Sequence, residues 1–431
     1  MTRFLFVTTP VTGHVSPLLP VAKKLVERGH EVQWYTSTRF QQHIEAVGAT
    51  FVPYHTARDM DFHRANELYP ERAQLKGIAQ FKWDMRLTID IAAEQVEDLS
   101  RILAEFAADI IVGDSIAISA LFIAEKMNLP LALVNVINLF AISKDTAADG
   151  FALAPSSTAL GRVRNRFLNW LVFRFILRDI NGYLTQTRSK LGLSAIRETF
   201  FESLILRSDL FLQPTVPAFE YPRSDLPGHV HFIGALLPDG PTEFTKPGWW
   251  DDLKSDRPVV LVTQGTIATD FADLLIPAVR GLADENVLVI ATTGNKPVDH
   301  ISLDSPPSNL HLEPFVPFSQ LMPHVDVMVT NGGYGGTNFA LAHGVPLVAA
   351  GKTEDKAEIC ARVAWSGVGI NLKTNKPTPE QIRGAVRTVL ANPQYKEKVQ
   401  AMQAEFARHN APEKAVEMLE KLAATKQRVL Q

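Results

Sequence analysis

The chain has 431 residues, which is too long for one ordinary hydrophobic core and is typical of two large domains. Hydrophobic residues make up 46% and charged residues 21%, so the chain can bury enough apolar surface to fold, and widespread disorder is excluded. The formal net charge of -3 does not provide the clustered positive charge that binds a phosphate backbone, and we expect no nucleic acid partner.

Cysteine usage and apolar runs bear on the compartment. Cys360 is the only cysteine, so no disulfide can form within the chain, and a thiolate-rich metal site is excluded. Residues 1–9 form a short apolar run without the charged start and longer apolar core of a signal peptide. No unbroken apolar run is long enough to span a bilayer. The sequence therefore predicts a cytoplasmic protein without a stable membrane span.

The first part of the chain alternates apolar strands with helices. Strands at 3–8 and 31–35 enclose an amphipathic helix that ends near Gly29. A similar unit follows, with strands at 108–112 and 130–136 on either side of an apolar helix. This alternation indicates a parallel sheet that is covered by helices on both faces.

Aromatic and basic residues are concentrated between residues 138 and 208, where the alternation weakens. A helical interpretation gives a basic amphipathic element, formed by Arg162, Arg166, Phe167, Trp170, Phe173, Arg174, Phe175 and Arg178. Such an element can dock on a membrane surface. The interpretation that we favour is a helix that packs against its own domain with its arginines in solvent.

A second unit begins after a segment rich in proline and glycine. Strands are predicted at 258–263, 287–292, 325–329 and 345–349. We therefore expect an α/β fold of two tandem Rossmann-like parallel-sheet domains facing a cleft, because ligands bind at the carboxyl ends of such strands. The predicted parts are an N-terminal acceptor-binding domain at 1–215, a linker at 216–238, a C-terminal donor-binding domain at 239–408 and a returning C-terminal helix at 409–431.

A glycine-rich junction follows the strand at 325–329 and precedes a helix near Phe339. Its four glycines are Gly332, Gly333, Gly335 and Gly336. Glycines let the backbone approach a bulky ligand, and amides at a helix start attract an anion. The junction therefore predicts a phosphate or diphosphate site, and the Gly265-Thr266 pair after the first strand of this domain offers further amides and a hydroxyl.

A resemblance to a known family rests on this region. Residues 330–346, with Gly-Gly, Ala-Leu and Gly-Val-Pro elements, resemble the donor signature of the family-one glycosyltransferases, GT-B enzymes that use UDP- or dTDP-sugars. The likeness extends to residues 13–17, 232–238, 315–317 and 353–356, so it spans nearly the whole chain. It implies donor binding by Gly13, Gly265, Thr266, Phe315, Val316, Asn331, Gly332, Gly333, Gly335, Gly336, Thr337, Glu354, Asp355 and Lys356.

Three positions depart from the family pattern. Asn331 stands where family members usually aim a histidine at the diphosphate, so charge assistance is lost there. Phe339 stands where many relatives have a glutamate bonded to the ribose hydroxyls, which makes a dTDP donor a competitor to UDP. Lys356 replaces a glutamine and leaves Asp355 as the clearer acceptor for sugar hydroxyls; Lys356 itself donates to the sugar or pairs with a neighbouring carboxylate.

The candidate catalytic pair is His14 and Asp114. Each follows or ends a strand of the first sheet, so the two side chains can approach each other. A histidine suits general-base chemistry, and a carboxylate can fix its tautomer. The resemblance implies that His14 is the base, that Asp114 is its partner, and that transfer proceeds by inversion without a metal or a cofactor beyond the nucleotide-sugar. Alternatively, His14 only caps a helix and Asp114 only orders its turn.

The acceptor side is less clearly marked. A loop holding His55, Asp59, Asp61 and His63 resembles a metal cluster, but its spacing is not that of a tight ligand set. We instead expect this segment to contribute to an apolar acceptor wall formed by Phe62, Trp83, Met85 and Phe140.

The expected partners are a nucleotide-sugar and a small, apolar, hydroxylated acceptor such as a flavonoid, another phenol, a macrolide or a sterol. A nucleotide-sugar epimerase or a phosphorylase would share the two-sheet cleft. A protein that binds a nucleotide-sugar or an apolar metabolite without catalysis is a further alternative, since the donor positions Asn331 and Phe339 are altered. His14 in the first domain argues for transfer, because an epimerase needs no base facing an acceptor.

Overall fold

The computed structural model describes residues 1–61, 64–238, 240, 244–265, 270–301, 303 and 305–431. In this part of the chain the strands form two sheets. The first sheet contains β1 (Arg3–Val7), β2 (Glu31–Tyr35), β3 (Thr50–Val52), β4 (Ile110–Asp114), β5 (Leu131–Val134), β6 (Leu210–Gln213) and β7 (Val230–Phe232). The second contains β8 (Val259–Thr263), β9 (Leu288–Thr292), β10 (Leu310–Glu313), β11 (Val327–Thr330), β12 (Leu347–Ala349) and β13 (Gly369–Asn371).

Helices cover both sheets. Those of the first domain are α1 (Thr12–Val15), α2 (Leu19–Glu27), α3 (Gln41–Ala46), α4 (Ala65–Leu68), α5 (Pro70–Ala73), α6 (Gly77–Glu105), α7 (Ile118–Met127), α8 (Ala159–Asn169), α9 (Arg178–Lys190) and α10 (Phe200–Leu206). The remainder are α11 (Leu275–Leu282), α12 (Phe318–Leu321), α13 (Tyr334–Ala342), α14 (Lys356–Ser366), α15 (Pro379–Ala391), α16 (Pro393–Phe406) and α17 (Ala411–Thr425). Within the described ranges, no helix combines the length and apolarity needed to cross a membrane.

The two sheets have related strand orders. The order is β3-β2-β1-β4-β5-β6-β7 in the first and β10-β9-β8-β11-β12-β13 in the second, and all neighbouring strands are parallel. The order in which strands are added reverses between β1 and β4 in the first sheet, and between β8 and β11 in the second. A crevice opens at such a switch point, and ligands of open α/β sheets bind there. The predicted pair of Rossmann-like parallel-sheet domains is confirmed.

The first sheet is buried on both faces because its strands are almost continuously apolar. On β1, Leu5 and Val7 point into a core layer shared with helices α6 and α7. Phe4 and Phe6 point the other way, into a layer shared with α2 and α17. Helix α17, the end of the chain, therefore packs on the first domain.

The segment predicted as a linker, 216–238, is not a simple connection. It contains β7, which pairs with β6 and extends the first sheet by one strand. Val216 and Phe219 from the same segment pack into the core of the second domain. The proline and glycine content that suggests a linker is compatible with a three-residue strand at a sheet edge.

Buried polar contacts join the domains. The Thr215 hydroxyl donates to the Asn338 side-chain oxygen at 2.6 Å. The Arg362 guanidinium donates to Glu220 at 2.8 Å, and all three groups of the Arg362, Glu220 and Glu358 cluster are buried. These contacts hold the two switch points on opposite walls of one cleft.

Candidate active site

His14 and Asp114 meet at the switch point of the first sheet. His14 lies in the short helix α1, which follows β1, and Asp114 is the last residue of β4. The His14 Nδ1 atom is 2.8 Å from Asp114 Oδ1. An ionised carboxylate only accepts hydrogen bonds, so Nδ1 carries the proton and donates it. In the neutral imidazole this leaves Nε2 as the unprotonated nitrogen, which is the state that a general base requires.

Asp114 is held as a carboxylate. Burial alone would raise its pKa, but the charge of His14 and hydrogen bonds from His14, Thr9 and Ile116 lower the pKa below its ordinary value. The Thr9 amide donates at 2.6 Å and the Ile116 amide at 2.9 Å. Because Asp114 is fully buried, these bonds also fix its position against the imidazole.

A cleft of about 460 Å³ lies between the domains, and His14 lines it. Of the residues predicted to bind the donor, the cleft is lined by Gly13, Gly265, Phe315, Val316, Asn331, Gly333, Gly335, Gly336, Glu354, Asp355 and Lys356. Thr266 lies outside the described residues. The volume falls in the range of small-molecule sites.

The start of helix α13 faces this cleft. Gly333 is its N-cap residue, and no side chain caps the first turn. Amides at an uncapped helix start keep free N–H groups and carry partial positive charge. Gly333, Tyr334, Gly335 and Gly336 line the cleft, so this charge is directed at any anion bound there.

Gly332 and Thr337 do not line the cleft, in contrast to the prediction. Gly332 has a φ of +82°, and a Cβ atom there would come within 2.6 Å of the Cys360 sulfur. Its role is to let the junction pack against helix α14. Thr337 is fully buried on the inner face of α13. The backbone turns at this junction, so these two residues point away from the cleft while their neighbours line it. A sequence pattern does not predict these directions.

Asn331 is oriented by a backbone contact. Its Nδ2 atom donates to the Gln264 carbonyl oxygen at 2.5 Å. Because a carbonyl only accepts, this bond fixes the side-chain oxygen toward Gly265 and Gly333. One N–H of the amide remains for a ligand, without the charge of an imidazolium.

Aromatic side chains line part of the cleft. Phe315 is exposed and lines it, next to the buried Val316. Phe339 also lines the cleft, where its ring stacks on His343 and contacts Phe318 edge-on. These rings offer apolar surface to a planar base and no carboxylate to a ribose.

Acidic and basic groups also line the cleft. Lys356 pairs with Glu354, which is one of the two arrangements expected for this lysine. Burial raises the pKa of Asp355 to about 6, and the nearby Lys356 only partly offsets this. A positive charge on His14 would also act to lower the pKa of Asp355. His14, the predicted base, and Asp355, the carboxylate predicted to bind sugar hydroxyls, both line the cleft.

Comparisons with known proteins agree with this geometry. Residues 276–422 match the model of the erythromycin biosynthesis protein CIII-like C-terminal domain. A 4'-demethylrebeccamycin synthase from Lentzea aerocolonigenes is 44% identical over 97% of this chain and 99% of its own length. UDP-glycosyltransferase 2 from Phaeomoniella chlamydospora is 34% identical, covering 96% of this chain and 94% of its own. The chain belongs to the family-one GT-B glycosyltransferases.

Solved structures share the fold of this glycosyltransferase. The calicheamicin glycosyltransferase CalG4 superimposes with a TM-score of 0.76 at 20% identity, covering 99% of both chains. The glycosyltransferase VinC, solved in complex with dTDP, has a TM-score of 0.71 at 22% identity and covers 98% of this chain and 100% of its own. The GT-B architecture expected from the sequence is therefore confirmed.

A second, small cavity of about 30 Å³ lies beside the dyad in the first domain of the glycosyltransferase. Thr9 and Ile116, whose amides bind Asp114, are among its lining residues. Helix α6 contributes Thr88 and Gln95, and the half-buried Tyr54 also lines the cavity. The dyad therefore lies between the interdomain cleft and this cavity.

Of the residues predicted to form the acceptor wall, Trp83, Met85 and Phe140 do not line either cavity. Met85 and Phe140 are buried in the main core of the first domain, and Phe140 packs edge-on against Phe201 and Phe211. Trp83 packs against Tyr69 in a separate small cluster. Phe62 lies outside the described residues. The correction has a simple cause, because apolar side chains have the same sequence signature in a core and in a pocket wall.

The loop that resembles a metal cluster has other roles. Asp59 accepts a hydrogen bond from the Ser37 hydroxyl at 2.9 Å, and Asp61 pairs with Arg39 at 3.2 Å. His63 lies outside the described residues. Within the ranges that are described, no three His, Cys, Asp or Glu side chains are grouped as metal ligands.

Several residues that line the cleft are not among those predicted from the sequence. Val136 and Ile137 follow β5, Pro214 follows β6, and Gln264 follows β8. All of them continue from the carboxyl ends of parallel strands, where ligands are expected. That positional rule was the available signal, and these residues carry no distinctive chemistry of their own.

Proposed function

We propose that this glycosyltransferase moves a sugar from a UDP- or dTDP-linked donor to a hydroxyl group of a small, largely apolar acceptor. The observation that carries the proposal is the His14–Asp114 pair on one wall of a cleft whose opposite wall presents the uncapped start of helix α13. A base and an anion site that face each other are the two elements that transfer from a sugar diphosphate requires.

The reaction is a direct displacement with inversion. The acceptor hydroxyl gives its proton to His14 Nε2 as its oxygen forms a bond to the anomeric carbon. The bond from that carbon to the diphosphate oxygen breaks, and the electron pair leaves with the nucleoside diphosphate. Asp114 stabilises the imidazolium, while the amides of Gly333 to Gly336 stabilise the leaving diphosphate. The chain's own groups supply each step, so we propose no further cofactor.

The donor is held along the length of the cleft. Phe315 and Val316 lie where a base would stack, and Asp355 accepts hydrogen bonds from sugar hydroxyls. Phe339 offers no hydrogen bond to a ribose hydroxyl. A deoxyribose donor loses less at such a position than a ribose donor does, which favours dTDP-sugars. The structural relative VinC was solved in complex with dTDP.

The acceptor is placed on the first-domain side of the dyad. Val11, Val136 and Ile137 line the same cleft as His14 and supply apolar surface there, and Tyr54 lines the adjoining small cavity. This surface suits a hydrophobic scaffold such as a flavonoid, another phenol, a macrolide or a sterol.

The decisive test is a matrix of donors and acceptors. Purified protein is incubated with UDP-glucose, other UDP-sugars and dTDP-sugars, each with phenolic and polyketide acceptors, and the products are weighed by mass spectrometry. We expect one acceptor class to gain the mass of a single sugar residue. Interconversion of the nucleotide-sugar without an acceptor, or donor binding with no product from any pair, would contradict the proposal.

A further inference from the structure

Helix α8 is amphipathic, but its polar face packs on the protein and its apolar face points to solvent, the reverse of an ordinary surface helix. Its inward face carries Gly161, Asn165 and Asn169, all of them buried. Asn165 donates to the Lys144 carbonyl at 3.2 Å, and Asn169 donates to the Ser143 carbonyl at 2.9 Å. The helix is therefore attached to its domain by polar groups, which leaves its apolar side chains without a place in the core.

Those apolar side chains point to solvent. The exposed fractions are 84% for Leu160, 63% for Val163, 58% for Phe167, 53% for Trp170 and 66% for Phe175. Residues 160, 163, 167 and 170 repeat at helical spacing and lie on one side of α8, opposite the buried asparagines. A single exposed apolar residue needs no explanation, but a continuous stripe of large ones marks an interaction site.

A π-helical segment extends the stripe. Residues Trp170–Ile176 form this segment, which continues α8 toward α9. Its wider turn brings residues five apart onto the same side. Trp170 consequently stacks on Phe175 with ring centres 6.2 Å apart, and Phe167 stacks on Trp170 at the same distance. The three rings form one aromatic surface instead of separate patches.

Arginines border this surface. Arg164 and Arg166 lie on either side of the stripe, and Arg174 and Arg178 lie at its far end; all four are exposed. The sequence from 159 to 178 contains no aspartate or glutamate. Arg174 reaches Glu202 at 3.3 Å, and Arg164 hydrogen-bonds to the Asn165 side chain and to the Ala154 backbone carbonyl. The local charge is thus opposite in sign to the net charge of -3.

We propose that this face, defined by Leu160, Val163, Phe167, Trp170 and Phe175 with the arginines beside them, docks on the surface of an anionic lipid bilayer. Aromatic and aliphatic side chains enter the boundary between headgroups and acyl chains, and arginines pair with lipid phosphates. A second copy of the chain fits less well, because a symmetric contact would bring like-charged arginines together. Docking would bring the enzyme to the phase in which apolar acceptors concentrate.

Vesicle flotation tests the proposal. The full-length protein is mixed with vesicles of phosphatidylcholine alone, or of phosphatidylcholine with about a third phosphatidylglycerol, at low and at high salt. We expect the protein to float with the anionic vesicles at low salt and to be released by high salt. The double variant that carries both Trp170→Ser and Phe175→Ser should bind vesicles at least about fivefold less than wild type, because its apolar side chains no longer insert.

Charge variants separate the electrostatic part. Arg166→Glu with Arg178→Glu should abolish binding to anionic vesicles, since it reverses the attraction. The matched control is Arg280→Glu with Lys398→Glu, which changes the net charge equally on exposed residues of the second domain and should float like wild type. Transfer to a water-soluble acceptor should be unchanged in all these variants, so failure here is distinct from failure of the proposed function.

Three results would overturn the proposal. Wild-type protein that stays unbound with both vesicle types excludes bilayer docking. Equal flotation of wild type, the aromatic variant and the arginine variant would show that binding occurs elsewhere. The third comes from sedimentation velocity. If wild type forms a dimer and does not bind vesicles, while the Trp170→Ser, Phe175→Ser double variant is a monomer, the face is an interface between two copies of the chain.

Discussion

The Nδ1 atom of His14 lies 2.8 Å from Oδ1 of Asp114, although the two residues are 100 positions apart in the chain. The parallel pairing of β1 with β4 creates this contact. Val7 lies opposite Gly113, and the segments that carry His14 and Asp114 leave the two strands at the same edge of the sheet. The imidazole is thus oriented by the most buried part of the sheet, while its other nitrogen is left for the cleft.

Asp114→Asn tests the orienting role of this carboxylate. The amide keeps the shape of the side chain but can donate to Nδ1, which favours the wrong tautomer of His14. We expect kcat to fall by about 10²- to 10⁴-fold with little change in donor affinity. Steady-state kinetics and calorimetric donor titration measure the two effects. Asp109→Asn, near the opposite end of β4, is the matched control and should retain most activity.

Phe339→Glu tests the origin of nucleotide preference. The phenyl ring lines the cleft and cannot bind a ribose hydroxyl, whereas a carboxylate can. We expect the ratio of kcat/KM for a UDP-sugar to that for the matching dTDP-sugar to rise by about tenfold, equivalent to one charged hydrogen bond. An unchanged ratio would remove the reason to connect Phe339 with the preference for dTDP.

If Asp355 binds the sugar as proposed, donor binding should depend on pH. Its pKa is raised to about 6, so the carboxyl is ionised at pH 7.5 and largely protonated at pH 5. Because the ionised form accepts hydrogen bonds from the sugar, the Kd of the nucleotide-sugar should rise by up to about tenfold over this range. Asp355→Asn should bind more weakly at pH 7.5 and lose most of this pH dependence. A wild-type Kd that is flat with pH would contradict the assignment.

The same carboxyl predicts a gain in stability on substitution. A raised folded-state pKa means that the folded protein binds this proton more tightly than the unfolded chain does. The resulting stability is complete below the ordinary value of 3.8 and is lost as the pH rises through about 6. Asp355→Asn should therefore raise Tm at pH 7.5 by a few degrees and leave it nearly unchanged at pH 4. Equal changes at both pH values would show that ionisation is not the cause.

Arg362→Met tests the buried cluster between the domains. Arg362 is fully buried and pairs with Glu220 at 2.8 Å and Glu358 at 3.4 Å. Removing the guanidinium takes the cation from the buried Glu358 and leaves Glu220 paired with Arg223 at the longer distance of 3.9 Å, so the free energy of unfolding should fall by about 3–5 kcal/mol. Urea denaturation at pH 7.5 measures it. The control is Arg387→Met, which breaks an exposed pair with Glu285 and should have little effect.

Much of the donor side could be predicted because it depends on local patterns. A strand followed by closely spaced glycines and a helix places amides at a sheet edge, and Gly333, Gly335 and Gly336 are found there. Gly332 and Thr337 show the limit of this argument. Neighbours in sequence point in different directions once the turn is made, and only the backbone conformation determines which of them reach the cleft.

The acceptor side depends on long-range packing and could not be predicted. Met85 and Phe140 belong to the core, whereas Thr88 and Gln95 on the same helix as Met85 reach the small cavity. Helix α8 poses the same problem in another form. Periodicity predicts an amphipathic helix, but the inward direction of Asn165 and Asn169 follows from backbone carbonyls at Lys144 and Ser143. The periodicity of the sequence cannot predict these hydrogen-bond partners.

The most direct test of the account is His14→Ala, assayed for both turnover and donor affinity. If His14 deprotonates the acceptor opposite an independent donor site, kcat should fall at least about 10³-fold while the Kd of the nucleotide-sugar stays within about twofold of wild type. Normal turnover in this variant would contradict the assignment of the base and, with it, the proposed mechanism.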